Sequence, residues 1–418
     1  MKEIILIFVI LNSTLLFAAK PSKVMSIDDV VVRVGNSNFK VYGNALKVYQ
    51  AKTNIDKARW DLLPKLNLWS IAGMVIDPFS VIEKIPEVAP FLVPGNWFRI
   101  EEVKILHLAE TEGYRALWGN EIFIAKTLYK NILFDQQILQ HVQTSIKEME
   151  KIHQIIKTRE VFGGVPPGTA RDIEIRLLGL KLDQQNLQVL LSLEHDNFTY
   201  SMGLPAGENI KLSPVKIPVI EDLKPIDPRE YEFRLLTYSP ERRQFDHFLS
   251  VLNYIKKEIM FSFLGVSQVS RGVAGGIFDD FPIPNGAGLG MGAAMKIIDS
   301  QKEIMKTQKL GIEETLKRQL RAVSFQYNSD LANYDNFKRR MMLSRESRDA
   351  LTRRIELGES INVLDLSEST RNLIQSQTAL YAIKYRVMTS IDRVQRLIFS
   401  DDYSMKPPLI DSLKGEKK

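Results

Sequence analysis

The chain has 418 residues, of which 44% are hydrophobic and 25% are charged, and it contains no cysteine. This composition excludes a disordered chain, a polytopic helical membrane protein and any site that depends on a thiolate. The formal net charge of +6 is spread along the sequence. Because nucleic-acid-binding proteins usually concentrate their basic residues, we expect no nucleic-acid partner.

The first nineteen residues have the features of a secretory signal peptide. Lys2 precedes the apolar residues 4–17, and Ala18 and Ala19 offer small side chains at a cleavage site. The apolar stretch is about 14 residues long, short of the roughly 20 that a membrane-spanning helix needs. We therefore expect residues 1–19 to be removed on export, and the alternative is a retained N-terminal anchor.

Two long tracts without proline predict two long helices, at residues 99–162 and 296–357. Apolar residues recur every three or four positions within residues 139–156 of the first tract and 316–331 of the second. This spacing is typical of a coiled-coil seam, which stabilises helices of such length. Shorter helices are predicted before and after each long one, at residues 44–63, 172–202, 240–257 and 363–399.

The same order of elements occurs twice along the chain. In each half a short helix is followed by a pair of strands, a long helix, a tight turn and a further helix. The turn glycines Gly163 and Gly358 lie 195 residues apart (358 − 163). We interpret this as a duplicated architecture. The predicted divisions are a signal (1–19), a first repeat (20–203), a linker (204–235), a second repeat (236–400) and a tail (401–418).

Alternation of apolar with polar or small residues predicts four strands, at residues 66–73, 80–97, 261–266 and 289–294. Prolines interrupt the second of these and make it the weakest. Four strands cannot close a barrel, because the smallest bacterial outer-membrane barrels need about eight and an open strand edge is not tolerated in lipid. If these strands span a membrane, several chains must therefore share one barrel.

Three segments together resemble the TolC-like outer membrane efflux proteins. Residues 62–68 (LLPKLNL) are similar to the point where the family's first helix runs into its first strand, and residues 237–241 (TYSPE) are similar to the start of its second half. Residues 353–365 (RRIELGESINVLD) are similar to its second periplasmic turn. The chain departs from the family at Asn362, where an Asp is usual, and in its first turn, residues 162–172, which is longer and richer in proline.

The resemblance implies a mixed α/β membrane protein that assembles as a homotrimer. Its helical hairpins and β-hairpins would form a twelve-stranded β-barrel in outer-membrane lipid, continuous with a twelve-helix coiled-coil tunnel in the periplasm. The family's function would make it the passive exit duct of a tripartite efflux or type I secretion system, with a periplasmic adaptor and an inner-membrane pump as partners. The alternative is a soluble exported coiled-coil scaffold protein of the periplasm.

The resemblance also implies a gate at the second turn. Asp365, with Asn362 at the partner position, would form a ring of polar groups around the axis of the trimer. The alternative is that Asp365 caps the helix that follows it. Arg353 and Arg354 would tether neighbouring helices in the closed state, or are ordinary solvated helix charges.

The two turns themselves are the predicted docking tip for the adaptor. Gly163, Gly164 and Gly358 are expected to supply positive φ angles. The residues assigned to the tip are Gly163, Gly164, Asp172, Gly358 and Ser360. The five histidines have no metal-ligand spacing and no catalytic motif is present, so we expect no enzyme activity, cofactor or metal site.

Overall fold

The computed structural model describes most of the chain. The described ranges are 23–63, 89–205, 210–267, 289–359 and 362–405, with isolated residues 207–208, 269–272, 278, 281, 283–284 and 407–408. The predicted signal (1–19), the predicted strand at 66–73 and Ser360 lie outside them. None of the helices in the described ranges is both long enough and apolar enough to cross a membrane.

The described part of the chain is almost entirely helical. The helices are α1 (Ile27–Ser37), α2 (Phe39–Trp60), α3 (Pro94–Val161), α4 (Thr169–Ser201), α5 (Pro228–Tyr238), α6 (Pro240–Phe261), α7 (Leu289–Glu356) and α8 (Val363–Leu397). Two short strands, β1 (Lys23–Met25) and β2 (Ile210–Leu212), pair in parallel. The six predicted helices are confirmed, with shifted ends, whereas α1 and α5 were not predicted.

Local signals explain where several helices begin. The side chain of Asn38 accepts hydrogen bonds from the backbone N of Lys40 and of Val41, at 2.9 and 3.1 Å, and so caps α2. Asp227 caps α5 in the same way, and proline occupies the first position of both α5 and α6. Since proline lacks an N–H that the first turn would leave unbonded, it favours a helix start.

One compact unit of the chain comprises residues up to Val34, Ile124–Leu223 and Asp330–Thr389. Its core is a seam of buried apolar side chains in which α3 packs against α4, with contributions from α7 and α8. The buried members are Ile138, Val142, Ile146, Met149, Ile152, Ile156, Ile173, Leu177, Ile355 and Leu366. The seam predicted from the spacing within residues 139–156 is therefore confirmed, and these contacts set the positions of the turns that follow α3 and α7.

The other compact unit comprises Gly35–Phe123, Lys224–Ser329 and residues from Ser390 onward. Part of its core joins α5, α7 and α8 through a cluster that includes Leu235, Leu320 and Leu397. Leu316, in the second predicted seam, belongs to the same cluster. A second cluster joins α3, α6 and the start of α7, and Ile255 and Ile259 of α6 are fully buried in it.

The strand predicted at residues 289–294 is wrong, because α7 begins at Leu289. Met291, Ala294, Met295 and Ile298 have the i, i+3, i+4, i+7 spacing of one helical face, and all four contact the apolar cluster around α6. The alternation with glycine that suggested a strand is therefore also compatible with a helix. Burial of this face against α6 favours the helix.

The strand predicted at residues 261–266 is also wrong. Helix α6 continues to Phe261 and is followed by a short 3-10 turn, Ser262–Leu264. The Phe261 ring lies 5.5 Å from the ring of Phe98, centroid to centroid, so Phe261 packs on α3. Within the predicted strand 80–97, the described part forms a 3-10 turn (Pro90–Leu92) and the first residues of α3.

Candidate functional site

A glycine with a left-handed backbone conformation ends α3 and begins the turn that follows it. Gly163 has φ of 72°. Its N–H donates to the carbonyl of Glu160 at 3.2 Å, and the N–H of Gly164 donates to the carbonyl of Arg159 at 2.8 Å. These two bonds define a Schellman motif, in which a left-handed residue ends the helix.

The turn after α7 has the same geometry. Gly358 has φ of 98° and its N–H donates to the carbonyl of Ile355 at 3.1 Å. The N–H of Glu359 donates to the carbonyl of Arg354 at 3.0 Å. The positive φ angles predicted for Gly163 and Gly358 are thus confirmed, whereas the same prediction for Gly164 is wrong. Arg159 and Arg354 occupy equivalent positions in the two motifs.

The residues predicted to form the gate lie around this second turn. Arg354 forms an ion pair with Glu359, Nε to Oε2, at 2.5 Å, while Arg353 is exposed. The Oδ1 of Asn362 accepts a hydrogen bond from the N–H of Leu364 at 3.0 Å. Asp365 is exposed in the first turn of α8. A side-chain cap of α8 is therefore provided by Asn362, and Asp365 stands where its charge favours the helix dipole.

Glu160 was not predicted as a site residue, yet it joins the end of α3 to the start of α4. Its carboxylate accepts hydrogen bonds from the N–H of Gly168 at 2.5 Å and from the N–H of Ala170 at 2.8 Å. These bonds hold the pKa of Glu160 below its usual range, because they favour the ionised carboxylate. Asp172, a predicted tip residue, is exposed in the first turn of α4.

The two turns lie beside each other. A methyl group added to Gly358 would lie 3.8 Å from Nη2 of Arg159, so the guanidinium at the end of α3 reaches the turn after α7. Ile156, about one helical turn before the first Schellman motif, and Ile355, within the second, belong to the same buried cluster. The structure therefore brings Gly163, Gly164 and Gly358 into one region, which we call the tip. That this region docks an adaptor stays a prediction.

This tip exposes large apolar side chains. Phe162 is 83% exposed and Leu357 is 81% exposed, and each immediately precedes a turn glycine. Val161, next to Phe162 in the sequence, and Leu364, in the first turn of α8, are exposed as well. Exposed apolar side chains that cluster in this way usually mark an interaction site.

Ion pairs connect α7 to α8 and to α3, the helices that meet at the two turns. Arg386 of α8 binds Asp330 of α7 through two nitrogens, at 2.7 and 3.2 Å, and Arg348 of α7 lies 3.0 Å from Glu148 of α3. These partners are far apart in the sequence. No local pattern identifies them, because each pair depends on how the helices face one another.

A second set of buried charges lies in the other compact unit, and these residues were not predicted from the sequence either. Arg99 donates to both oxygens of Glu258, at 2.6 and 2.9 Å, and Arg271 donates to Glu102 at 2.8 Å. All four side chains are nearly or fully buried. Burial raises the pKa of Glu102 to about 7, and this outweighs the opposing effect of Arg271. We call these four residues the buried quartet.

Comparison with known proteins identifies the fold. No family model and no curated protein matches the sequence. A crystal structure of a membrane protein from Pseudomonas aeruginosa is similar, with a TM-score of 0.71 and 15% identity over 89% of this chain and 92% of that one. The outer-membrane channel OprN gives a TM-score of 0.70 at 12% identity, over 90% of both chains.

The Campylobacter jejuni CmeC outer membrane channel gives a TM-score of 0.69 at 14% identity, over 94% of this chain and 89% of that one. At such identities the similarity establishes the fold alone. The chain has the fold of these outer-membrane channels, and the resemblance to TolC-like proteins is confirmed at that level.

Groups of three or more possible metal ligands are absent from the described residues.

Proposed function

We propose that the chain is one subunit of a trimeric exit duct in the outer membrane that extends into the periplasm. The duct would serve a tripartite efflux or type I secretion system and would act passively, as a channel and not as an enzyme. The observation that carries this proposal is the fold shared with outer-membrane channels over about nine tenths of each chain. In such a duct, selectivity is steric and electrostatic, and no cofactor is required.

The barrel would need three copies of the chain. Each chain alone would supply too few strands to close a barrel. Because unpaired strand edges are not tolerated in lipid, such strands would form together with those of neighbouring copies. Residues 289–294 are helical in the single chain and are not among the strands that we propose.

The gate would be formed by the second turn. Three copies of Asp365 would carry negative charge to the axis of the trimer, and Asn362 would hold the start of α8 in place through its hydrogen bond to Leu364. The ion pair between Arg354 and Glu359 would stiffen the turn, and the exposed Arg353 is available to a neighbouring copy. The exposure of Asp365 supports a role outside the core of one subunit.

The adaptor would dock on the tip. Phe162 and Leu357 give it an apolar surface, and the Schellman glycines Gly163 and Gly358 fix the shape of the two turns. Gly164 and Asp172 lie in and after the first turn, and Ser360 follows the second in sequence. Contact with a partner would cover side chains that are more than four fifths exposed in the single chain.

A second candidate function is a periplasmic coiled-coil scaffold. The helical start of α7 favours it, because the scaffold needs no strands there. The molar mass of the protein, measured by light scattering and corrected for bound detergent, separates the two functions. A trimer that requires detergent for extraction supports the duct, whereas a monomer that stays in solution without detergent overturns it.

A further inference from the structure

A groove between α7 and α8 has the chemistry of an anion-binding site. The groove has a volume of about 390 Å³ and lies within one compact unit. Serines from both helices line it, namely Ser344 and Ser347 from α7 and Ser369 from α8. Because serine is much smaller than the leucines and isoleucines of the neighbouring seam, the two helices leave a notch here.

Two arginines, Arg339 and Arg340, line the groove, and none of its lining residues is acidic. In the described part of the chain neither guanidinium has a carboxylate partner. Two other arginines of the same helix pair do have carboxylate partners, since Arg348 lies 3.0 Å from Glu148 and Arg386 lies 2.7 Å from Asp330. The groove therefore holds about two positive charges that no described side chain neutralises.

Ser369 supplies an independent observation. It is only 8% exposed, and its Oγ has no hydrogen-bond partner among the described residues. Buried hydroxyl groups nearly always have a partner, so an unpaired one that lines a cavity indicates a missing acceptor or donor. Asn372, one turn further along α8, adds an amide that can donate to the same position.

We propose that this groove binds a phosphate-bearing anion, either inorganic phosphate or a small phosphate monoester. The planar guanidinium groups of Arg339 and Arg340 match phosphate oxygens in pairs, and the serine hydroxyls and the Asn372 amide can donate to the remaining oxygens. A dianion neutralises the two arginines. The volume exceeds that of one phosphate group and leaves room for a small organic substituent.

The binding should depend on pH in a defined direction. The second pKa of a phosphate monoester is about 6 and that of inorganic phosphate is higher, nearer neutral pH, whereas the arginines stay charged throughout this range. The dianion of a monoester therefore forms as the pH rises through about 6, and that of inorganic phosphate forms at somewhat higher pH. We expect the affinity for phosphate to increase severalfold between pH 5 and pH 7.5. The extent to which chloride weakens phosphate binding should stay the same over this range.

The test is isothermal titration of the full chain, solubilised as purified, with inorganic phosphate and with glycerol 2-phosphate at constant ionic strength. We expect saturable binding that the double substitution Arg339→Gln and Arg340→Gln weakens at least tenfold and that Ser369→Ala weakens severalfold. Arg345→Gln is the matched control, because Arg345 is exposed on the same helix but does not line the groove. Circular dichroism would verify that each variant remains folded.

The two ligands distinguish the source of the phosphate group. Tighter binding of glycerol 2-phosphate supports a phosphate monoester, and equal binding supports free phosphate. No saturable binding of either ligand by the folded chain would overturn the proposal. An equal loss of affinity in Arg345→Gln would also overturn it, because the effect would then reflect the overall charge of α7 and not the groove.

Discussion

The carboxylate of Glu160 accepts a 2.8 Å hydrogen bond from the backbone N–H of Ala170, across the turn that joins α3 to α4. A second bond, from the N–H of Gly168, occupies the other oxygen of the same carboxylate. A residue in the last turn of one helix thus satisfies N–H groups at the start of the next. This arrangement replaces the usual capping side chain, which the N-cap position of α4 lacks because it is Gly168.

Replacement of Glu160 with Gln should lower the melting temperature at pH 7 by a few degrees. The folded chain holds the pKa of Glu160 below its unfolded value, so this contribution is present above the unfolded pKa and is lost as pH falls through the folded pKa. The difference between wild type and Glu160→Gln should therefore shrink in acid. Thermal denaturation at several pH values measures it, with Glu174→Gln, an exposed residue of α4, as control.

Gly358→Ala should destabilise the chain by about 1 kcal/mol, because alanine at φ of 98° is strained. Gly311→Ala is a matched control of opposite sign. Gly311 lies inside α7 with no atom near an added methyl group, so alanine there should stabilise by about 0.5–1 kcal/mol. Thermal or urea unfolding of the two variants gives the comparison. Equal effects of the two substitutions would contradict the role assigned to Gly358.

The turns and seams could be predicted from sequence because they depend on local chemistry. Gly163 and Gly358 end their helices through bonds within five residues, and the apolar spacing before Gly163 directly reports the buried face of α3. The strand predicted at residues 289–294 failed for a related reason. The same residues satisfy both an alternating and a helical pattern, and only contact with α6 decides between them.

Polar contacts between residues far apart in the chain could not be predicted from the sequence. Arg386 and Asp330 are 56 residues apart and Arg99 and Glu258 are 159 apart, so neither pairing follows from spacing. The same holds for the cap of α8. The sequence left Asp365 as the candidate cap of α8, whereas Asn362 is the residue whose side chain accepts a hydrogen bond from the N–H of Leu364.

The buried quartet makes the stability of the chain dependent on pH. Because burial raises the pKa of Glu102 to about 7, its contribution is present below the unfolded pKa and is lost as pH rises through about 7. Glu102→Gln should remove this part of the pH dependence, which amounts to at most about 3 kcal/mol. Unfolding measured between pH 5 and pH 8 tests it, and Glu101→Gln, an adjacent and more exposed residue, should retain the wild-type slope.

The proposed gate predicts different effects for two neighbouring residues. Asn362→Ala removes the hydrogen bond to Leu364 and should destabilise the chain by about 1 kcal/mol. Asp365→Ala leaves that bond in place. It should instead weaken the block of conductance by multivalent cations in planar bilayers, because the ring would lose three negative charges.

Bilayer recordings and thermal unfolding of both variants provide the test. A variant Asp365→Ala that assembles normally but keeps the wild-type cation block would contradict the ring. If Asp365→Ala lowers the melting temperature as much as Asn362→Ala while the block persists, the main role of Asp365 is to stabilise the start of α8. If the two effects separate as expected, Asn362 positions the helix and Asp365 supplies the charge at the pore.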